Sequence, residues 1–84
     1  MNTYVIAFES THAAMATERV LAAHAKTTML PVPKAISAGC GMALKFDAAD
    51  DAAALAIAQR SPDARGLARL FRQDDAAYTE VAAL

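Results

Sequence analysis

The chain has little of several things, and each scarcity excludes something. There is one cysteine in 84 residues, so neither an internal disulfide nor a multi-cysteine metal site is available. No apolar run approaches the roughly 20 residues needed to cross a bilayer with a helix. The net charge is −1, charges of both signs are interspersed, and no basic stripe carries aromatics between its members, which argues against nucleic-acid binding and general attraction to anionic lipid. No phosphate loop, paired carboxylates or Ser–His–Asp grouping points to phosphoryl transfer or hydrolysis. There is no internal repeat or low-complexity linker. The start, Met1-Asn2-Thr3-Tyr4, lacks the basic and apolar segments of a signal peptide. With the single thiol, this gives the expectation of a reducing, cytoplasmic compartment.

What is present is a hydrophobic fraction of 56%, rich in alanine, in a length suited to one domain. The reading is a single domain over 1–84, with its core at about 3–72 and a C-terminal extension at 73–84. Tyr4 to Phe8 is a buried first strand by its β-branched and aromatic content. Ser10 or Thr11 caps a helix from about His12 to His24 or Ala25. Its inner stripe is Ala13, Ala16 or Thr17, Val20 and Ala23 or His24, with Leu21 beside it. Thr27 to Val32 is a second strand, placed at an edge because Pro31 and Pro33 remove ladder donors. Gly41 to Phe46 is a third strand. Asp50 to Gln59 is a second helix with an acidic start, stopped by Pro62. Gly66 to Arg72 is a fourth strand, and Asp74 or Asp75 caps a short terminal helix with Tyr78, Val81 and Leu84 inward. Met15, Met29 and Met42 fit as core filler.

This order predicts an α+β fold, the ferredoxin-like split β-α-β (βαββαβ) arrangement, with a four-stranded antiparallel sheet and two helices on one face. The other face is left to solvent or to a partner, including a second copy of the chain. Arg69 and Lys45 are candidates for that open face.

The most distinctive segment is Ile36-Ser37-Ala38-Gly39-Cys40-Gly41. Glycine on both sides of the cysteine removes Cβ atoms that would crowd the sulfur and lets the backbone curl around it. The alternative is a small apolar residue in a glycine-rich turn, since free cysteine is among the most buried residue types.

With the prolines before it, Pro31-Val32-Pro33-Lys34-Ala35, this segment resembles the Ile-Ser-x-x-Cys-Gly pattern of the selenium/sulfur carrier-like family of small bacterial proteins. Phe8, then Ser10-Thr11-His12 entering a helix that carries Glu18, is similar as well, and the resemblance runs from about Tyr4 to Phe71. It implies a cysteine, Cys40, that carries sulfur or selenium, here between donor and acceptor proteins; from the residues themselves, no metal and no cofactor is expected. Lys34 departs from the family, standing where an arginine is common, and lacks the planar fork that binds anions in a bidentate way.

The topology adds a reason for reactivity. It sends the end of strand one, the start of helix one and the entry to strand three to one end of the domain, so Cys40 is expected near the Glu9 to His12 turn. A helix start attracts anions and lowers a thiol pKa when contact is direct. Ser10 and Thr11 are then candidate donors to the thiolate, His12 a candidate proton partner, and Lys34 a candidate assisting cation. Gly39 and Gly41 shape the backbone. Each has a plainer reading: Ser10 and Thr11 as helix caps, His12 and Lys34 as solvated side chains. His24 falls about three turns along the helix, too far to join Cys40. Two other functions remain open at this point. One is a small binding or regulatory module in which Cys40 is structural; the other is a redox sensor in which it forms a sulfenic acid or mixed disulfide.

Overall fold

The structure, a computed structural model, describes residues 1–36, 41–62 and 68–84. Strand β1 (Asn2–Phe8) leads to helix α1 (Thr11–Leu21), strands β2 (Thr28–Pro31) and β3 (Met42–Ala48), helix α2 (Asp51–Ala58), and strands β4 (Ala68–Asp74) and β5 (Ala77–Ala83). All strand pairs are antiparallel, and the sheet order is β2-β3-β1-β4-β5.

Alternation along the strands builds the core. Tyr4, Ile6 and Phe8 of β1, Leu44 and Phe46 of β3, and Ala68 and Leu70 of β4 share one face, against Ala13, Ala14 and Leu21 of α1 and Ala54 and Ala58 of α2. The small residues on the helices let both lie close to the sheet. Apart from Leu21 of α1, the large fully buried side chains come from the sheet, each worth about 1.5–3 kcal/mol when fully buried. Tyr4 and Phe46, paired across β1 and β3, stack with ring centroids 6.0 Å apart.

Both helices start on a side-chain cap. Ser10, in extended conformation, accepts from the Ala13 N–H, and Asp50 accepts from the Ala53 N–H at 2.8 Å. Each satisfies one of the donors that a helix start leaves unpaired.

The expected four-stranded arrangement is corrected in two respects. Among the described residues the sheet has five strands, and its order carries β5 beside β4, so β4 is interior rather than an edge. The expected terminal helix is this fifth strand. Asp75 does not cap a helix; it takes φ 56° in the turn between β4 and β5, a left-handed conformation that aspartate tolerates better than most residues. Val81 is the extra residue of a β-bulge, because Glu80 pairs with Phe71 while Ala82 pairs with Leu70. The bulge lets Val81 and Leu84 pack against the core although their spacing is helical.

The stripe of α1 is also corrected. Its buried residues are Ala13, Ala14, Thr17 and Leu21, while Val20 is exposed. The helix ends at Leu21, before His24. Met15 is exposed rather than core filler, whereas Met29 and Met42 pack against the core.

The face away from the helices is capped by its own long side chains. Cross-strand pairing places Lys45, Val5, Phe71 and Glu80 in one row, and Ala43, Ala7 and Arg69 in the next. Arg69 lies over the Phe71 ring, 5.5 Å from its centroid, and pairs with Glu80 at 3.5 Å. Val5 and Ala43 are fully buried on this face even though neither α1 nor α2 covers it.

Candidate functional site

Four chain segments meet at one end of the sheet. Phe8, the last residue of β1, pairs with Met42 at the start of β3 and with Ala68 at the start of β4, while Pro31 at the end of β2 pairs with Met42 from the other side. One step beyond, the Val32 N–H donates to the Gly41 carbonyl at 3.1 Å, which closes the base of the connection between β2 and β3. Just after that base, the Ile36 N–H donates to the Pro33 carbonyl at 2.9 Å, a tight turn that carries Lys34 on its exposed surface.

Gly41 sits where two backbones come close. A Cβ placed on it would lie 2.8 Å from the Phe8 carbonyl oxygen and 3.3 Å from Val32 Cγ2. The first contact is with backbone and cannot be relieved by a rotamer change. Here the need for glycine is one of space, not of an unusual φ.

The start of α1 belongs to the same end, since only Glu9 separates Phe8 from the cap Ser10. The Ser10 hydroxyl oxygen is committed to the Ala13 N–H at 3.3 Å, and its carbonyl accepts from Ala14 at 3.1 Å. Of the two candidate caps, Ser10 fills the role; Thr11 is the first residue inside the helix. Thr11 and His12 are exposed, and helix geometry leaves their N–H groups without intrahelical partners. The structure therefore brings Gly41, Phe8 and the Ser10–His12 turn to one end, with Lys34 in the turn leaving β2. Cys40 and Gly39, the residues for which the strongest role is expected, lie outside the described residues. His24 is not at this end: it follows α1 at the far end of the helix, beside Lys26 and Asp47.

A second polar constellation occupies the opposite end of the sheet, and no local sequence motif marks it. The Tyr4 hydroxyl donates to Asp51 Oδ1 at 2.7 Å, and Arg72 donates to Asp51 Oδ2 at 2.7 Å. Arg72 also donates from Nε to both carboxylate oxygens of Asp74, at 3.1 and 3.2 Å, and Thr79 donates to Asp74 at 3.0 Å. These contacts tie the first turn of α2 to β1 and to the β4–β5 hairpin. The Tyr4 hydroxyl, reinforced by Arg72, holds the Asp51 carboxyl below the usual carboxylate range against the opposing effect of its partial desolvation. Burial pushes the Tyr4 phenol upward, helped by the adjacent Asp51 charge, while the Asn2 amide opposes the shift. The Arg72 guanidinium is held more firmly protonated by Asp74 and Asp51. The chemistry of this set is that of a clamp between elements, since the Tyr4 hydroxyl, the Arg72 guanidinium and the Thr79 hydroxyl all donate to carboxylates within the protein.

Among the described residues, no helix is long and apolar enough to cross a membrane.

No curated protein and no solved structure gives a significant match to the chain. A family model does. The one described as "Putative Se/S carrier protein-like" matches residues 3–64, which span β1 through α2 and include the Ile36–Gly41 segment. That is well over half of the chain, and the protein belongs to this family of selenium/sulfur carrier-like proteins.

Proposed function

We propose that the protein carries a sulfane sulfur or selenium atom on Cys40 between a donor and an acceptor protein. The observation that supports this reading most is the family match across residues 3–64, because Cys40 is the only cysteine in the chain. The anchored base at Gly41 is compatible with it. Cys40 directly precedes Gly41, whose position is pinned by the Val32 N–H and by close contact with the Phe8 carbonyl.

The chemistry is thiolate exchange. The Cys40 thiolate attacks the terminal sulfur of a donor persulfide, the donor's S–S bond breaks, and the donor thiolate leaves with the electron pair. The product is Cys40–S–SH. An acceptor nucleophile then attacks that outer sulfur and releases the Cys40 thiolate. No external oxidant or reductant is consumed. Selenium follows the same route with Se in place of the outer sulfur. In this reading Ser10 and Thr11 supply hydroxyls, and the α1 start supplies N–H groups and a partial positive charge, that favour thiolate. His12 and Lys34 are the neighbouring proton partner and cation. Gly39 and Gly41 keep the approach to sulfur open. The step starts from a free Cys40 thiol, which persists best in a compartment whose thiols are kept reduced, and this suits the cytoplasm. A homodimer through the open sheet face would have to bury Lys45 and the Arg69–Glu80 pair, so the carrier is assigned to the single chain.

The test is intact-mass spectrometry of protein isolated without reductant from cells supplied with both elements. Added mass of one sulfur or selenium, located on Cys40 and absent from Cys40→Ser, supports the proposal. Unmodified Cys40 under those conditions in repeated preparations contradicts it.

A further inference from the structure

At the corner of the sheet far from the Gly41 junction, β3 outruns its neighbour. The register pairs Thr28, the first residue of β2, with Lys45, while β3 continues to Ala48. The bond from Val32 to Gly41 fixes which residues of β3 direct their N–H and C=O toward β2, because these alternate along an antiparallel ladder. Gly41, Ala43, Lys45 and Asp47 do so. Continuing the register would place Lys26 opposite Asp47, yet β2 does not reach that far, and among the described residues no backbone bond joins the two. The backbone N–H of Asp47 is left facing a notch.

That notch is a cleft of about 430 Å³ whose lining includes His24, Lys26, Thr28, Lys45, Phe46 and Asp47. It is rich in donors: two ammonium groups, a hydroxyl, an imidazole and the free strand N–H. Neither lysine is in an ion pair among the described residues, where the pairs are those of Arg69 and Arg72. Among the described residues, two negative groups line this cleft or the one adjoining it. The Asp47 carboxylate accepts from the Thr3 hydroxyl at 2.8 Å, and Glu18 lies with Lys26 on an adjoining cleft. Positive charge exceeds negative within the notch itself, and these donors line one cleft where a strand ends.

We propose that this corner binds a small multivalent oxyanion, held between Lys26 and Lys45 with the Asp47 N–H and Thr28 hydroxyl completing its hydrogen bonds. A compact anion matches the set better than an extended apolar ligand, since the groups offered are cations and donors. The same oxygens occur on inorganic phosphate and on short dicarboxylates. The proposal is independent of Cys40.

The experiment is a titration of the full chain followed by amide NMR, with inorganic phosphate and with succinate at matched ionic strength and with sodium chloride as control. Saturable shifts confined to Thr28, Lys45, Asp47 and the 24–26 segment are expected with at least one of the two anions, and the tighter one identifies the ligand class. Lys26→Ala with Lys45→Ala should weaken binding by roughly tenfold or more, and each single variant by a smaller factor, while Arg60→Ala leaves it unchanged. Shifts that do not saturate, that spread over all exposed cations, that chloride reproduces, or that persist in the double variant would overturn the proposal.

Discussion

Gly41 and Phe8 approach so closely that a Cβ on the glycine would stand 2.8 Å from the Phe8 carbonyl oxygen. The contact joins the entry of β3 to the exit of β1 at the end where α1 begins. Gly41→Ala must therefore push two backbones apart, at a cost of about 1–3 kcal/mol, offset only in part by the stiffer unfolded chain. Urea denaturation measures this. A variant as stable as the wild type would show that the approach is not constrained.

The clamp at the other end gives a pH signature. The folded-state pKa of Asp51 is lowered, so its contribution is present above the ordinary carboxylate value and is lost as pH falls through the folded value. Asp51→Asn should be less stable than wild type at neutral pH, and the gap should close in acid, below the ordinary carboxylate range. Tyr4 has the opposite sign. Its raised pKa stabilises the fold below the ordinary phenol value, and that contribution is lost as pH rises through the folded one. Tyr4→Phe should cost about 1 kcal/mol near neutrality. Denaturation midpoints across pH check both; a gap for Asp51→Asn that does not change with pH would contradict the acid-side assignment.

The hairpin turn makes a third expectation. Asp75 holds φ 56°, where a β-branched side chain is strained by roughly 1–2 kcal/mol. Asp75→Val should lower the melting temperature while Asp75→Gly should not. Equal effects would mean the turn relaxes to another conformation.

Ser10 has two assignable roles with separable readouts. Its hydroxyl oxygen caps α1 through the Ala13 N–H, so Ser10→Ala should cost about 1 kcal/mol of stability. In the carrier reading it should also raise the Cys40 pKa modestly, whereas Ser10→Asp, which keeps a cap, should restore stability but raise that pKa further by adding a like charge. If neither substitution alters the titration, Ser10 is a cap alone.

Much of the fold was legible because it rests on local patterns. The β-branched run at Tyr4–Phe8 and the capping residues Ser10 and Asp50 mark their elements within a few positions. The prolines at 31 and 33 correctly predict β2 as an edge strand. The C-terminal element is a strand that reads as a helix because two signals are ambiguous. Asp74-Asp75 suits a helix cap and a hairpin turn equally, and the bulge at Val81 gives a strand the inward spacing of a helix. The clamp was invisible for another reason: Tyr4, Asp51 and Arg72 are far apart in sequence and meet only once the sheet order exists. Val20 shows the limit of periodicity on an alanine-rich helix, where neighbouring stripes are similarly apolar and the buried one runs through Ala13, Ala14, Thr17 and Leu21. Of the candidate site, the shared end that holds Ser10, His12 and Gly41 followed from topology, while the role of Cys40 rests on the family resemblance.

The measurement that bears most directly on the carrier mechanism is the pH dependence of Cys40 alkylation in the folded protein, with Cys40→Ser as the blank. The account requires an accessible thiolate stabilised by the start of α1 and its neighbouring donors. The rate should therefore follow a single titration with a midpoint below the ordinary thiol value of about 8.5, and Ser10→Ala with Thr11→Ala should move that midpoint upward. Burial without such stabilisation moves a thiol the other way. A midpoint at or above the ordinary value, with alkylation slow until the protein unfolds, would contradict the mechanism.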